Sequence, residues 1–265
     1  MKSILFSFFP HFQSNHQVRS SQKTIKTFAL VFMGVLCLSL SQKSLAASAG
    51  GHSIGAGLIV MTPSQDDLNL LIQRANTREG GISTSSLNNA YELNVFYQYR
   101  FSGSMFALQF KPSYFLQSST GSGTSGKFNY SLDGFTVFPM LRMFPLENNY
   151  IKFLIQVGLG YGALFGRVDE AAANVSFHGS TFGYQAGLGA EFCFNANHCV
   201  SIEGNIRYLP ISRNVASSQS GTWAADSISQ PNAGDITKNE VELDGSDLAT
   251  TLSGIQGQIG YIFTF

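Results

Sequence analysis

Period-two alternation recurs along this chain, and it makes β-strands with two unlike faces the dominant element. The clearest stretch sets Tyr91, Leu93, Val95, Tyr97, Tyr99 and Phe101 against Glu92, Asn94, Phe96, Gln98 and Arg100. Similar stretches run over His52 to Met61, Met105 to Leu116, Tyr130 to Phe144 and Tyr150 to Leu164. Three more cover Phe182 to Phe194, Cys199 to Leu209 and about Ala249 to Phe265. In the last, Ile259, Tyr261, Phe263 and Phe265 alternate with Gly260, Ile262 and Thr264. Pro112 predicts a bulge or a weakly paired point in the third stretch. The fourth is apolar on both faces, and Asp133 and Arg142 differ in parity, so a bulge is expected near Pro139.

Composition decides what the apolar face meets. Charged residues make up 12% of the 265, about half the share usual in soluble domains, while aromatics reach 13%. The polar faces of the fifth and sixth stretches carry Gly158, Gly160, Gly162, Gly183, Gly187 and Gly189. Glycines make a poor solvent face but suit the crowded inside of a narrow barrel, which argues against a soluble sandwich or lipocalin-like barrel. Each stretch has the ~9–11 residues of a tilted membrane strand, and an even number of strands closes the sheet with both termini on one side. The fold class expected is all-β: an eight-stranded antiparallel up-and-down transmembrane β-barrel.

The connections alternate in length. Residues 102–104, 146–149 and 195–198 read as tight turns. Residues 62–89, 117–129, 165–180 and 210–248 read as long loops rich in Ser, Gly and Asn. Short periplasmic turns and long extracellular loops are the usual asymmetry of such barrels. Within the first loop, Ser64 as cap, Asp67 at the box position, and Leu68, Leu71, Ile72 and Ala75 at helical spacing predict a short amphipathic helix. Packing on the barrel rim is expected, with a plug at the mouth or a place on the membrane surface as alternatives.

Residues 1–46 read as a signal peptide. Lys23 and Lys26 precede an apolar run from Phe28 to Leu38, with small Ser44 and Ala46 after it. Leu36 stands where a lipoprotein signal would have a small residue, so Cys37 is not read as a lipidation site. The mature barrel is then residues 47–265 in one domain. Its two cysteines, Cys193 and Cys199, flank a short turn and are expected to form a disulfide after export. Net charge is +0, and no basic stripe, phosphate loop or nucleotide fingerprint is present, so nucleic acid is not an expected partner and no cofactor is implied.

On the polar faces, Glu92, Arg100, Lys111, Lys152, Glu191, Glu203 and Arg207 are expected to form a salt-bridge network filling the lumen, joined by Gln109, Gln156 and Asn205. Between residues 226 and 247 of the last loop, Asp226, Asp235, Glu240, Glu242, Asp244 and Asp247 stand against Lys238 alone, without EF-hand spacing, and read as a solvated acidic loop rather than a metal site.

The strand pattern and the terminal aromatic alternation resemble small bacterial outer-membrane barrels of the OmpA, OmpX and opacity-protein type. Tyr261, Phe263 and Phe265 stand where such barrels carry their assembly signal. The resemblance implies the outer membrane as location. It implies contact with outer-membrane lipid and lipopolysaccharide, recognition of the last strand by the barrel assembly machinery, and a monomer. It also implies a non-enzymatic surface role: envelope integrity, adhesion or loop-mediated interaction. A small-solute pore is the alternative. His178-Gly179-Ser180 resembles the His-x-Ser element of outer-membrane lipid A deacylases, but Thr181 replaces the usual Asn and Glu191 falls on the other face. A nucleophile and base without a third orienting group make catalysis the least favoured expectation.

Overall fold

The structure is a computed structural model that describes residues 51–80, 84–229 and 240–265. The expected leader, Asp235 and Lys238 lie outside the described residues. The strands are β1 (His52–Thr62), β2 (Ala90–Arg100), β3 (Phe106–Gly123), β4 (Gly126–Glu147), β5 (Ile151–Glu170), β6 (Ala173–Cys193), β7 (His198–Tyr208) and β8 (Gly254–Thr264). Each pairs antiparallel with the next, and β8 closes on β1 from Ser53↔Thr264 to Thr62↔Ile255. No sheet edge is left in this ring, as a hydrocarbon environment requires. A short strand, Val215–Ser220, adds to the upper part of β6. Among the described residues one helix, α1 (Asp66–Glu79), follows β1 and ends on Gly80 in the left-handed region.

The stretches expected as loops at 117–129 and 165–180 are strand instead. β3 and β4 run on to a turn at Thr124 and Ser125, and β5 and β6 to a turn at Ala171 and Ala172. The alternation continues there with its sense reversed. Along β6, Phe182, Tyr184 and Leu188 point outward low on the strand, with Gln185 and Glu191 inward. Higher up, Asn174 and Ser176 point outward while Val175 and Phe177 are buried. An outer face in lipid must be apolar, and the same face above lipid must be polar, so one strand carries both patterns. The Ser, Gly and Asn content that suggests a loop is the outer face of a raised sheet.

β4 also departs from expectation. It runs without a bulge at Pro139; the irregularity lies between Met143 and Leu146, at its turn end. Asp133 points outward and takes a hydrogen bond from Tyr114 at 3.1 Å, whereas Arg142 points inward and is fully buried. Both faces look apolar because β4 changes environment half-way. At Pro112 the β2–β3 ladder skips two pairs without changing register. β8 starts at Gly254 rather than Ala249, since Thr250–Thr251 pairs with Pro210–Ile211.

The interior has three layers. At the turn end, Phe96, Ile262, Cys193 and Cys199 form one apolar cluster, with Ala107, Phe144 and Leu154 beside it. Cys193 and Cys199 are joined as a disulfide across the β6–β7 hairpin. The middle is polar. The upper layer is the main apolar core: Met61, Phe138, Met140, Leu209 and Leu252 at its base, then Phe128, Tyr130, Val175, Phe177 and Trp223. Inward glycines make room for a large ring on the neighbouring strand. A Cβ on Gly160 would stand 2.4 Å from the Phe138 ring, and one on Gly55 would stand 2.2 Å from Phe96.

Candidate functional site

The polar layer is built on Arg142, whose side chain is fully buried. Its Nε donates to Gln156 at 2.9 Å, and Nη1 donates to Gln98 at 2.9 Å and Glu191 at 3.2 Å. Nη2 forms an ion pair with Glu203. Gln156 then donates to Glu203 at 2.9 Å and Asn205 at 2.6 Å. A second group forms on Arg207, which holds Glu92 through both terminal nitrogens, at 3.1 and 2.5 Å, and donates from Nε to the Leu252 carbonyl. Ser113 donates to Glu92, and Lys111 donates to Gln258 at 3.2 Å. Three carboxylates (Glu92, Glu191, Glu203) thus meet three cations (Lys111, Arg142, Arg207) in a layer with no formal net charge. Buried charges persist only when paired and hydrogen-bonded; Arg142 and Arg207 are paired directly to carboxylates, whereas Lys111 bonds the Gln258 amide.

Five of the seven expected network residues are in this layer: Glu92, Lys111, Glu191, Glu203 and Arg207. Arg100 and Lys152 are not. Arg100 lies at the turn end, paired to Glu147 at 2.6 Å, with its guanidinium 4.9 Å above the Phe144 ring. That pair holds the Glu147 carboxyl below its ordinary range, chiefly through the hydrogen bond from Arg100. Lys152 sits opposite Glu191 in register but is only half-buried, one residue from the end of β5. Both lie where the strands meet solvent, so neither must be paired inside. The hub, Arg142, is absent from the sequence-based set because its strand hides its parity. Charge balance could not have found it, because the sequence-based set already holds four cations against three carboxylates, and only the structure removes Arg100 and Lys152.

The mouth is the second built site. α1 lies in the main core through Leu68, Leu71, Ile72 and Ala75, as its spacing predicts. The expected Ser64 cap does not form; Ser64 donates to Asp66 instead, and Gln65 takes the N-cap position with no side-chain cap bond. Gln65 is turned inward, where it bonds Gln117 and the Thr251 backbone, while Asp67 accepts from the Ala249 amide. Toward the other end of α1, Arg74 pairs with Asp244 at 2.6 Å, and Arg78 pairs with Asp226 at 2.5 Å and Glu170 at 2.8 Å. Glu170, nearly buried, also accepts from Tyr130 at 2.8 Å and Ser227 at 2.9 Å. It ties α1, β4, β5 and the last loop together. Tyr130 is pushed above its ordinary range by burial and by Glu170.

The acidic last loop is thus partly spent on this clamp, and Glu240 pairs with Arg213. Glu240, Glu242 and Asp247 lie close enough to share an ion, with nothing else in the structure pointing to one. Arg78→Gln with Arg74→Gln should cost the closed mouth about 1–3 kcal/mol, because Glu170 is left buried without a cation. Emission from Trp223, the one tryptophan and a mouth-core residue, should then move to the red while the barrel stays folded. Acid has the same direction. Asp244 is held below the ordinary carboxylate range by its hydrogen bond with Arg74. Its contribution is complete above that range and is lost only as pH falls below it. Unmoved emission in the double variant would refute the clamp.

On the outer wall, His178 Nδ1 is 2.9 Å from the Ser217 hydroxyl rather than bonded to Ser180. Among the described residues no carboxylate bonds His178, and Glu191 faces the lumen at the far end of β6. Tyr261 and Phe265 point outward on and beside β8 in a ring ladder with His198, Phe263 and His52.

Residues 28–243 match the family model described as outer membrane protein beta-barrel domain. The chain belongs to this family. As an outer-membrane barrel, it has its tight turns on the periplasmic side and its raised sheet outside the cell. Among solved structures it is similar to the outer membrane protein OprG of Pseudomonas aeruginosa, at 13% identity and TM-score 0.52, covering 83% of this chain and 98% of that one. It is also similar to Ail, the attachment invasion locus protein of Yersinia pestis, in complex with the heparin analogue sucrose octasulfate. That match has 13% identity and TM-score 0.40, over 82% of this chain and 99% of Ail. At 13% identity the likeness to OprG is one of fold. No curated protein sequence matches the chain.

Proposed function

We propose that this outer-membrane barrel is a closed, non-enzymatic surface protein that presents a rigid raised sheet outside the cell. The observation that carries this reading is the three-layered lumen. The Arg142 and Arg207 groups occupy the polar section, which is sealed below by the Phe96, Ile262 and disulfide cluster and above by the core under α1. An eight-stranded barrel has room for side chains and little more, so a solute path would need both apolar layers to part. Planar-bilayer recordings with the purified, refolded protein should show no discrete conductance steps. Reproducible steps that shift when Arg142 is replaced would favour the small-solute pore instead.

The environment of His178 supports a non-enzymatic role, since its bonded partner is a loop serine and the orienting acid of a triad is missing among the described residues. In this reading Tyr261, Phe263 and Phe265 serve assembly: they lie on the wall beside the closing β1–β8 seam, where the machinery would grip the last strand.

A further inference from the structure

Among the described residues, Lys111 is the buried cation of the polar layer that no carboxylate bonds. Its ammonium has three donors, and its bond is to Gln258 Oε1 at 3.2 Å. An ammonium only donates, so the amide oxygen faces Lys111 and Gln258 Nε2 is left as a donor on the other side. That side is the wall of β1 and β8, where Gly57 and Gly260 stand opposite each other in register. A Cβ on Gly57 would lie 3.2 Å from both Gln258 Nε2 and Asn94 Oδ1. One on Gly260 would lie 2.9 Å from Ser201 Oγ and 3.6 Å from Gln258 Nε2. Three polar side chains from β2, β7 and β8 thus converge on the paired glycines.

None of these ends is satisfied by protein. Among the described residues, Gln258 Nε2, Ser201 Oγ and both polar atoms of Asn94 have no partner. The three residues are 3%, 0% and 3% exposed, so bulk solvent does not serve them. Turning the Asn94 amide over changes nothing, because both its atoms are free. Gln109, two residues from Lys111 along β3, is in the same position. The backbone gives an independent sign. The β2–β3 ladder lapses at Val95–Pro112 and Phe96–Lys111, while Pro112 and Lys111 stay paired to β4. Pro112 has no N–H to give, and in hydrocarbon each backbone polar group needs a partner from within the protein.

We propose that the β1, β2, β3 and β8 side of the polar layer is a binding site for internal water. This water, rather than a carboxylate, completes the hydrogen bonding of the Lys111 ammonium. The site supplies donors from Lys111 and Gln258 and an acceptor from Asn94, with Ser201 able to act as either. Such a mixed set suits water, which gives and accepts, and offers the two to four partners that a buried water takes. A halide would meet the Asn94 oxygen, and a metal ion would meet the Lys111 charge. Gly57 and Gly260 leave the room, since a side chain on either would stand among these atoms. This holds whether or not the lumen conducts.

The test is nuclear magnetic resonance of the refolded protein in detergent micelles, with the side-chain amides of Asn94 and Gln258 assigned. Both should receive magnetisation from water with opposite signs in laboratory-frame and rotating-frame spectra, as bound water gives and chemical exchange does not. Asn94→Leu supplies the second arm. If Asn94 holds water, its loss takes partners from that water, and the unfolding constant in urea should rise roughly tenfold, the worth of about one hydrogen bond. If the pocket is dry, an apolar side chain of similar volume removes an unsatisfied amide and the protein should become more stable. Absence of the water signal at either amide, or an Asn94→Leu protein more stable than the native one, overturns the proposal. If the variant does not fold, the spectra of the native protein decide.

Discussion

Arg142→Met is expected to destabilise the barrel by about 3–5 kcal/mol, the cost of leaving buried charge without its partner. The guanidinium bonds two carboxylates and two amides in a layer that bulk water does not reach. Its removal strands Glu191 and Glu203, which have side-chain exposures of 3% and 0%. The check is a urea titration of the refolded protein in detergent, read by heat-modifiable migration. The midpoint should fall with little change in slope. Arg142→Met combined with Glu191→Gln should recover part of the loss, because the layer is then neutral again, with Glu92 and Glu203 set against Lys111 and Arg207. If the single variant is as stable as the native protein, or the double variant is worse than the single, the layer is not the electrostatic unit described here.

The second large effect is steric. Gly160→Val should cost about 1–3 kcal/mol or block folding, since the new side chain starts inside the Phe138 ring and Phe138 is itself fully buried. The neighbouring strands are locked in register, so β5 cannot move aside alone. Pairing the change with Phe138→Ala should restore much of the stability, and the double-mutant cycle should show strong coupling. Additive losses would mean that Gly160 serves some purpose other than receiving Phe138. Gly160→Ala should show the same coupling with a smaller loss.

Much of the architecture was legible along the chain because lipid leaves a strong mark. Each membrane-crossing strand must be apolar outside, and period two makes that visible, as in Tyr91 to Phe101. The β8–β1 closure also followed from the even number of strands. The lumen was legible where its strands alternate cleanly: Glu92, Lys111, Glu191, Glu203 and Arg207 are all inside. It failed at Arg142, whose strand passes from lipid to water, so that Phe138 and Met140 inside and Pro139 and Leu141 outside blur the period. Arg100 and Lys152 have the right parity but the wrong height, and parity carries no height.

The sequence alone therefore determined the barrel, its orientation and the facing of most side chains, because each follows from a local period set by the solvent on either side. Only the tertiary structure decided that Arg142 joins Gln98, Gln156, Glu191 and Glu203, and that Glu170 binds a helix residue 92 positions away. It alone turned two expected loops into a raised sheet with a polar outer plane. These depend on which strands are neighbours and how far each rises above the hydrocarbon. Both are set by closure of the ring and the thickness of the membrane, which no single stretch of chain records.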